Sequence, residues 1–314
     1  MNTHTHANND SLGEKIVIAT AIFLPLIGVI IAMIRLWGWG ITPAEMVNLI
    51  VFYIISGMGI TVGFHRLFTH ASFKAHPVVR LMLGIAGSIA LNGGLFEWCD
   101  RHRKHHLHSD SPEDDHSPYR YGKGFVNSLR GLWFSHTGWI FTVRPPDERY
   151  AIKQLRDDPI TTFVDRNFVW WIVLSALLPT LFGWITSGFL WEGAVLGLLW
   201  GFLVRVCLVH HITWSINSIC HLWGARLFAT SDQSRNNLLC ALTAFGEGWH
   251  NNHHRFQWSA KQGLLPWQFD PSWWFICALE KVGLVSDLKV PSKEQIDRAL
   301  AETLEDTRVA HLSM

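Results

Sequence analysis

Four long apolar segments constrain this chain more than any other feature of its 314 residues. Each segment approaches or reaches the roughly 20 residues with which an α-helix crosses the hydrocarbon core of a bilayer. The predicted spans cover about residues 16–34, 46–62, 168–184 and 190–210. Short turns join the first to the second and the third to the fourth. We therefore predict an all-α integral membrane protein with four transmembrane helices in two hairpins.

The distribution of Lys and Arg orients the predicted spans. The turn at 185–192 contains neither residue, and the turn between the first two spans carries only Arg35. Nearly all other cationic residues lie at Lys15, between 65 and 167, or after 221. Because Lys and Arg accumulate in cytoplasmic loops, both chain termini are predicted to be cytoplasmic. The expected location is the cell inner membrane if the source is bacterial.

The polar regions between and after the hairpins are predicted to form a cytoplasmic helical cap. Residues 63–167 and 215–290 supply this cap and residues 291–314 follow as a surface tail, so 1–314 is treated as a single domain. The apolar segment 78–96 is long enough to be a fifth span. A span there would separate the histidines before it from those after it, and we predict a buried or in-plane helix instead.

Composition excludes several other classes of protein. The net charge of +1 is far from the strongly basic balance of nucleic-acid-binding proteins, so no nucleic-acid partner is predicted. The five cysteines are scattered and never form a C-x-x-C pair. This pattern indicates a reducing compartment without a disulfide framework or an iron–sulfur site.

Nine histidines fall into four tight clusters that follow the apolar segments or lie between them. They are His65, His70, His102, His105, His106, His221, His250, His253 and His254. Neutral imidazole is a good ligand for iron, zinc and copper, and nine such ligands are enough for two ions and too many for one. The sequence therefore predicts a two-metal centre on the cytoplasmic side, with no catalytic residue beyond the centre itself.

The spacing within the clusters favours ligands on helices. His102 and His106 are four residues apart and project from one helix face, and the last cluster repeats this H-x-x-H-H pattern. His65 and His70 are five residues apart, which separates them by about 140° on a regular α-helix. Either the helix ends before His70 or the two side chains belong to different elements.

In order and spacing, these clusters resemble the histidine boxes of the membrane-bound fatty acyl desaturases, specifically the stearoyl-CoA or Δ9 branch in its bacterial form. The boxes read H-R-L-F-T-H from His65, H-R-K-H-H from His102, N-S-I-C-H from Asn217 and E-G-W-H-N-N-H-H from Glu247. The resemblance covers about residues 45–256. It implies a di-iron, oxygen-dependent oxidoreductase that introduces a cis double bond into a saturated acyl chain, with Δ9 as the expected position.

The resemblance also implies how the ligands divide between two ferrous ions. One iron is expected to take His65, His70, His102, His106 and His254. The other is expected to take His105, His221, His250 and His253, with Asn217 holding a water in the remaining place. Acidic residues near the boxes can orient the rings, and the candidates are Glu97, Asp100, Asp110, Asp114 and Glu247.

Fewer positions match the acyl channel of that family. Trp98 corresponds to a tryptophan that borders the bent tunnel, and Thr213 with Trp214 corresponds to the pair at its kink. Tyr53 and Gly57 lie four apart on the second span and correspond to positions that close the far end. Tyr53 is then expected to be the floor of the tunnel, and Gly57 to leave room for the terminal methyl group.

The acyl carrier and the electron donor are outside what the boxes define. The animal acyl-CoA enzymes have Arg then Asp before the second box, whereas this chain reads Asp100-Arg101, followed later by the basic segment 144–149. CoA-linked, lipid-linked and carrier-protein-linked chains therefore all stay open as substrates, beside dioxygen and membrane lipid. With no H-P-G-G haem motif or C-x-x-C pair, electrons are expected from an external donor such as ferredoxin or cytochrome b5 with its reductase.

Two alternative functions are compatible with a histidine-rich membrane protein. A membrane di-iron hydroxylase could use the same ligand set, and a non-enzymatic metal transporter or sensor could also carry many histidines. A transporter would need ligands in the middle of the bilayer. Here the matched histidines follow the spans and Arg205 is the main charge inside them, so desaturation is the preferred hypothesis.

Overall fold

The computed structural model describes residues 12–142 and 148–312, which are mainly α-helical. Most of the basic segment 144–149 therefore lies outside the described residues. The α-helices are α1 (Leu12–Trp39), α2 (Pro43–Met58), α3 (Pro77–Ser88), α4 (Leu95–His108), α5 (Phe125–His136), α6 (Lys153–Arg156), α7 (Pro159–Arg166), α8 (Phe168–Thr186), α9 (Trp191–Leu198), α10 (Arg205–Leu222), α11 (Leu238–Thr243), α12 (His250–Arg255), α13 (Pro271–Lys281) and α14 (Lys293–Leu312). Two π-helical segments continue α2 and join α9 to α10, and two 3-10 turns follow α5; their bounds are Gly59–Thr69, Leu199–Val204, Gly138–Phe141 and Glu148–Tyr150.

Four helical stretches of the described chain are long and apolar enough to cross a membrane, in agreement with the four predicted spans. They are Ile18–Trp39, Pro43–Thr69, Phe168–Thr186 and Trp191–Leu222. The second and fourth contain 27 and 32 residues, more than the roughly 20 that a bilayer requires. Compared with the predicted spans, the additional residues lie at the C-terminal ends of these two helices, where His65 and His221 are found.

Helix α3 is too short to be a fifth span. It contains 12 residues, which corresponds to about 18 Å, and it packs against the π-helical end of the second stretch. Glycine permits this close approach, because a Cβ atom at Gly59 would lie 2.1 Å from the carbonyl carbon of Ala86. The largest buried apolar cluster surrounds this junction. The segment 78–96 thus contains no helix of spanning length, as expected.

A buried arginine fixes the loop that leads from α3 to α4. Arg205 donates hydrogen bonds to the carbonyl oxygen of Ile89 and to Ser175 Oγ, both at 2.6 Å. One turn further along α10, His210 Nε2 lies 2.9 Å from the carbonyl oxygen of Leu91. A cation beside the C-terminal end of a helix also interacts favourably with the helix dipole. The fourth membrane-length helix therefore anchors the loop that precedes α4, the helix that carries three of the clustered histidines.

The described residues contain a short antiparallel strand pair that the predicted all-α fold did not include. Lys74–Ala75 (β1) pairs antiparallel with Val285–Ser286 (β2), which ties the segment before α3 to the segment after α13. The backbone N–H of His76 continues this connection by donating to the carbonyl oxygen of Leu284 at 2.9 Å. Strands of two residues leave no periodic signal, so the sequence could not indicate them.

Candidate metal centre

The first two ligand histidines are brought together by a π-helix. The π-helix begins at Gly59 and ends at Thr69, and the N–H of His70 donates to the carbonyl oxygen of His65 at 3.1 Å. This five-residue step is the repeat of a π-helix, so the two rings lie close together, with centroids 4.8 Å apart. The helix does end before His70, as one of the two predicted alternatives stated, but one continuous element supplies both rings.

Five imidazoles form an outer histidine group at the end of this helix. Its members are His65, His70, His102, His106 and His253. One nitrogen from each ring lies within 4.8 Å of the others. The shortest Nε2–Nε2 distances are 2.9–3.1 Å and join His65 to His253, His70 to His102, His102 to His106, and His106 to His253. The group is only partly enclosed, because three of its members, all outside the π-helix and α12, are half-buried.

Four imidazoles form an inner histidine group, and all of them are buried. Its members are His105, His221, His250 and His254. The Nε2 atoms of His221 and His250 are 3.0 Å apart. Within the described chain, the Nε2 atoms of His105 and His254 are buried without a hydrogen-bond partner. Buried polar atoms are almost always paired, so these two free nitrogens indicate that a bound group belongs between the rings.

The division of the ligands differs from the expected one by a single exchange. His253 belongs to the outer group and His254 to the inner group, whereas the reverse was expected. On α12 the ring centroid of His254 lies 4.4 Å from that of His250, and the centroid of His253 lies 5.9 Å from it. On an α-helix, side chains four residues apart differ in direction by about 40°, and side chains three residues apart by about 60°. His254 therefore faces the same way as His250 more closely than His253 does.

The second box follows the same geometry with the groups reversed. The ring centroid of His106 lies 4.5 Å from that of His102, whereas the centroid of His105 lies 6.1 Å from it. In each H-x-x-H-H box the first and last histidines therefore share a group. The histidine at the fourth position of the box turns to the other group, and the two boxes interlock.

Four largely buried carboxylates hold the outward-facing Nδ1 atoms of the rings. The pairs and their nitrogen–oxygen distances are His65–Glu247 (2.5 Å), His105–Asp114 (3.1 Å), His221–Asp110 (2.9 Å) and His254–Asp232 (2.7 Å). A carboxylate that accepts the Nδ1–H fixes the tautomer and directs the Nε2 lone pair towards the centre of the group.

Three of these carboxylates are among the five that the sequence suggested, namely Asp110, Asp114 and Glu247. The other two have different roles, because Glu97 pairs with Arg101 at 2.8 Å and Asp100 pairs with Arg156. Sequence reasoning missed Asp232. It lies in a loop 22 residues before His254, and no motif marks it.

Burial keeps most of the imidazoles neutral. Desolvation, reinforced by neighbouring imidazoles, lowers the pKa well below its usual value in His70, His102, His106, His250 and His253. Burial also lowers the pKa of His254 to about 4, although Asp232 opposes this shift. A metal binds the lone pair of the neutral ring, so these ligands need not lose a proton at neutral pH.

The donor set fits two divalent metal ions. Each group offers four or five imidazole nitrogens, which suit iron, zinc and copper. The four carboxylates bring four negative charges into a buried site, where charge must be compensated, and two divalent ions would balance them. Arg66 also contacts Glu247 at 3.4 Å, but its charge is already matched by Asp270 at 3.0 Å.

A largely apolar cavity reaches both histidine groups. His65 and His102 of the outer group and His250 of the inner group line one end. Tyr53 and Gly57 line it further back along the second membrane-length helix. The cavity therefore connects the candidate metal centre with the interior of the helical bundle.

Most of the predicted channel residues border this cavity. Trp98, Thr213 and Asn217 line it together with Tyr53 and Gly57, and Trp98 stacks on the ring of His102 with centroids 5.1 Å apart.

Trp214 does not line the cavity. Trp214 is buried on α10, next to Thr213. Its ring centroid lies 5.0 Å from that of His210 and 5.3 Å from that of His211. A further lining residue, Phe245, was not singled out in the sequence.

Comparison with known proteins agrees with this site. Residues 44–274 match the family model described as fatty acid desaturase. The chain is 42% identical to the hex-5-enoyl-[acyl-carrier protein] acetylenase of Moorena producens (strain JHB), over 87% of this chain and 86% of that protein. It is 38% identical to the sn-1 stearoyl-lipid 9-desaturase of Anabaena variabilis, over 79% of this chain and 85% of that one. It is also 38% identical to Delta-9 acyl-lipid desaturase 1 of Arabidopsis thaliana, over 81% and 77%. The histidine boxes, the cavity that they border and these matches together show that the chain belongs to the fatty acid desaturase family.

Proposed function

We propose that this protein is a di-iron, oxygen-dependent desaturase that introduces a cis double bond at Δ9 of a saturated acyl chain. The observation that carries the proposal is that the outer and inner histidine groups open onto one apolar cavity, through His65, His102 and His250. An acyl chain in that cavity would have its methylenes beside both metal positions. The two relatives reported above from Anabaena variabilis and Arabidopsis thaliana are named as 9-desaturases and support this position of the double bond.

The two irons are proposed to be held by the two histidine groups as the structure divides them. The outer group would supply five nitrogens to one ion, and the inner group four to the other, with Asn217 holding a water beside the inner group. When bound, two irons supply, with dioxygen, the oxidising power to remove two hydrogens from adjacent methylenes, which acid–base side chains cannot do.

The residues of the chain position the substrate and exclude water. Trp98 is stacked on His102 at the metal end of the cavity, and Thr213 borders the cavity on α10. Their bulk limits the conformations of a bound chain, and restricting a reactant to one geometry lowers the barrier substantially. The apolar walls keep water from the reacting carbons.

A hydroxylase with the same ligands is the nearest alternative, and product analysis separates the two. A transporter or sensor is disfavoured, because the inner histidines are buried and three of their four rings are already held by aspartates. A transport site must release its ion, whereas carboxylates behind the ligands strengthen metal binding.

The acyl carrier is proposed to be a lipid or a carrier protein. Asp100 and Arg101 are buried in internal ion pairs, Asp100 with Arg156 and Arg101 with Glu97 and Asp115. Neither side chain is therefore available to a CoA headgroup. The relatives named above as acyl-lipid desaturases and as an acyl-carrier-protein acetylenase are consistent with this choice.

The membrane arrangement is proposed to follow the sequence prediction. The four membrane-length helices would form two hairpins, and residues 63–167 and 215–290 would form a cytoplasmic cap over the C-terminal ends of the second and fourth. The distribution of Lys and Arg supports this orientation. A cytoplasmic cap would give a ferredoxin, or cytochrome b5 with its reductase, access to the metal centre.

The test is product analysis combined with metal analysis. Iron-replete protein in membranes, supplied with labelled saturated acyl chains, dioxygen and a reductase with its redox carrier, should yield cis-Δ9 products and contain two irons per chain. NAD(P)H without the carrier should give no turnover. Hydroxylated products would favour the hydroxylase, and protein that binds zinc without iron would contradict the proposal.

A further inference from the structure

The side chain of Phe245 occupies the room beside Gly57 in the wall of the acyl cavity. A Cβ atom added to Gly57 would lie 2.3 Å from Cε2 of the Phe245 ring, far inside van der Waals contact. Gly57 therefore accommodates an aromatic ring and does not leave the free space that was expected for a terminal methyl group. The ring centroid of Phe245 lies 5.5 Å from that of Tyr53, and all three residues line the cavity.

The surrounding backbone holds Phe245 in this place. Its φ is +53°, a left-handed conformation that a bulky residue rarely adopts. The hydroxyl and the backbone N–H of Ser272 both donate to the Phe245 carbonyl oxygen, at 2.8 and 3.3 Å. Tyr53 fixes the same turn, because its hydroxyl donates to the Thr243 carbonyl oxygen at 2.5 Å. Residues with such a strained backbone persist where their surroundings fix them, so the position of the ring is built into the fold.

Gly57, which the ring contacts, lies closer to the metal centre along the helix than Tyr53, the expected floor of the cavity. Gly57 precedes His65 by eight residues on a continuous helix, which places it no more than about 12 Å away along the helix axis. Tyr53 precedes His65 by twelve residues, or about 18 Å at most. A ring beside Gly57 therefore shortens the cavity by up to about one helical turn.

We propose that Phe245 is a specificity-determining residue whose ring sets the depth of the acyl cavity, and hence the length of chain beyond the reacting carbons. This inference rests on the proposed desaturase function, which supplies the acyl substrate. Two residues after Phe245, Glu247 holds the ring of His65. One short turn therefore carries both the group that limits the chain end and the group that orients a metal ligand.

The first test compares the parent protein with Phe245→Ala and Phe245→Gly. Cells that express the full chain are fed labelled saturated fatty acids from octanoic to eicosanoic acid, and the unsaturated products are measured by mass spectrometry. Each further buried methylene changes preference about fourfold, so room for two should raise the ratio of longer to shorter products more than about tenfold. Glycine accepts a positive φ without strain, which makes Phe245→Gly the safeguard if Phe245→Ala does not fold.

Gly57→Ala tests the contact itself. In the parent protein the new methyl group would push the Phe245 ring into the cavity, and the preferred chain should become shorter. In the Phe245→Ala background the methyl group meets no ring, so the preferred chain length should stay the same. Such dependence on the background measures direct coupling, and equal effects in both backgrounds would overturn the proposal.

Thermal stabilisation by the same fatty acids gives a readout that does not depend on turnover. A ligand that binds the native state raises the unfolding midpoint, and the most stabilising chain should be longer in both Phe245 variants than in the parent. An unchanged optimum in products and in stabilisation overturns the role of Phe245. If the most stabilising chain length shifted in the Phe245 variants while the parent formed no unsaturated product, the desaturase function would be overturned and the role of Phe245 supported.

Discussion

The inner and outer histidine groups contain the same kind of ligand but differ in how firmly the protein holds them. In the inner group, Asp114, Asp110 and Asp232 accept hydrogen bonds from the Nδ1 atoms of three of the four rings. In the outer group, Glu247 contacts His65. The Nδ1 atoms of two other outer rings, His106 and His253, and of one inner ring, His250, are buried without a hydrogen-bond partner in the described residues.

This difference indicates that the inner site is preorganised and that the outer site takes its final shape from the metal. A ring held by a carboxylate keeps its tautomer and orientation before an ion arrives. A ring whose Nδ1 is free depends on the ion for both. The outer group is also the less buried one and supplies two of the three histidines that line the cavity, so its ligands can adjust beside a substrate.

The largest expected effect is the loss of an inner ligand. In His221→Ala the iron content should fall from about two ions to about one per chain. Desaturation should fall by more than about 100-fold, because losing even a carboxylate that holds a ligand typically lowers metal affinity or activity about 10–100-fold. Metal analysis and product analysis of the same preparation measure both effects. His253→Ala should likewise lose the outer ion and retain the inner one.

The matched control for these variants is His76→Ala. His76 is exposed, and its Nδ1 accepts a hydrogen bond from the N–H of Val78 at the start of α3. Losing this cap costs about 1 kcal/mol of stability and should leave two irons and full activity. If His221→Ala kept both irons, that residue would have to be removed from the ligand set.

The membrane-length helices and the grouping of nine histidines into a candidate metal centre could be predicted from the sequence for physical reasons. A bilayer demands long apolar helices, so the spans are visible as composition alone, and clustered histidines on either side of them are visible as spacing. The predicted second and fourth spans are shorter than the helices in the structure, because apolar composition marks only the part of a helix that lies inside the membrane. The placement of His253 and His254 was predicted the wrong way round, although residues four apart face the same way more closely than residues three apart.

Other parts of the site depend on tertiary contacts that leave no local trace. The π-helix that brings His70 beside His65 looks like an ordinary helical segment in sequence, and its wider turn depends on packing against α3. Asp232 reaches His254 from a distant loop. Phe245 fills the space over Gly57 because the turn after α11 contacts α2 at Tyr53 and Gly57, so a glycine that suggested free space turned out to accommodate a ring.

A smaller effect is expected when iron-free protein is acidified, and both groups should contribute to it. The folded-state pKa values of four outer rings, His70, His102, His106 and His253, and of the inner ring His250 are depressed. Below about pH 6.5 the unfolded chain therefore binds protons that the folded chain does not, and stability is lost as the pH falls. A group shifted as far as His254, to about 4, contributes up to about 3 kcal/mol.

Two substitutions compare the effect of acid on an outer ring and on an inner ring. Iron-free His106→Asn should lose less stability than the parent between about pH 7 and about pH 5. His105 has the opposite sign, because Asp114 outweighs burial and raises the pKa of this inner ring; its contribution is present in acid and is lost as the pH rises. His105→Asn should therefore increase the loss on acidification. Thermal unfolding midpoints at the two pH values measure the effect, and an equal loss of stability in the two variants would contradict the opposite pKa shifts of His105 and His106.

The smallest expected effect tests whether the aspartates make the inner site the firmer one. Asp232→Asn removes the charge that holds Nδ1 of His254 at 2.7 Å but keeps the shape of the side chain. Iron affinity, measured by competition with a chelator, should fall about 10–100-fold, and the ion lost first should be the inner one. The matched control is Glu97→Gln, an acidic residue near the same boxes whose partner is Arg101 and not an imidazole. Glu97 itself is half-exposed and holds no imidazole, so iron affinity should stay unchanged. If Asp232→Asn bound iron as tightly as Glu97→Gln, burial alone would account for the order of the inner group. The contrast between the two groups would then have to be explained by their different exposure to the cavity.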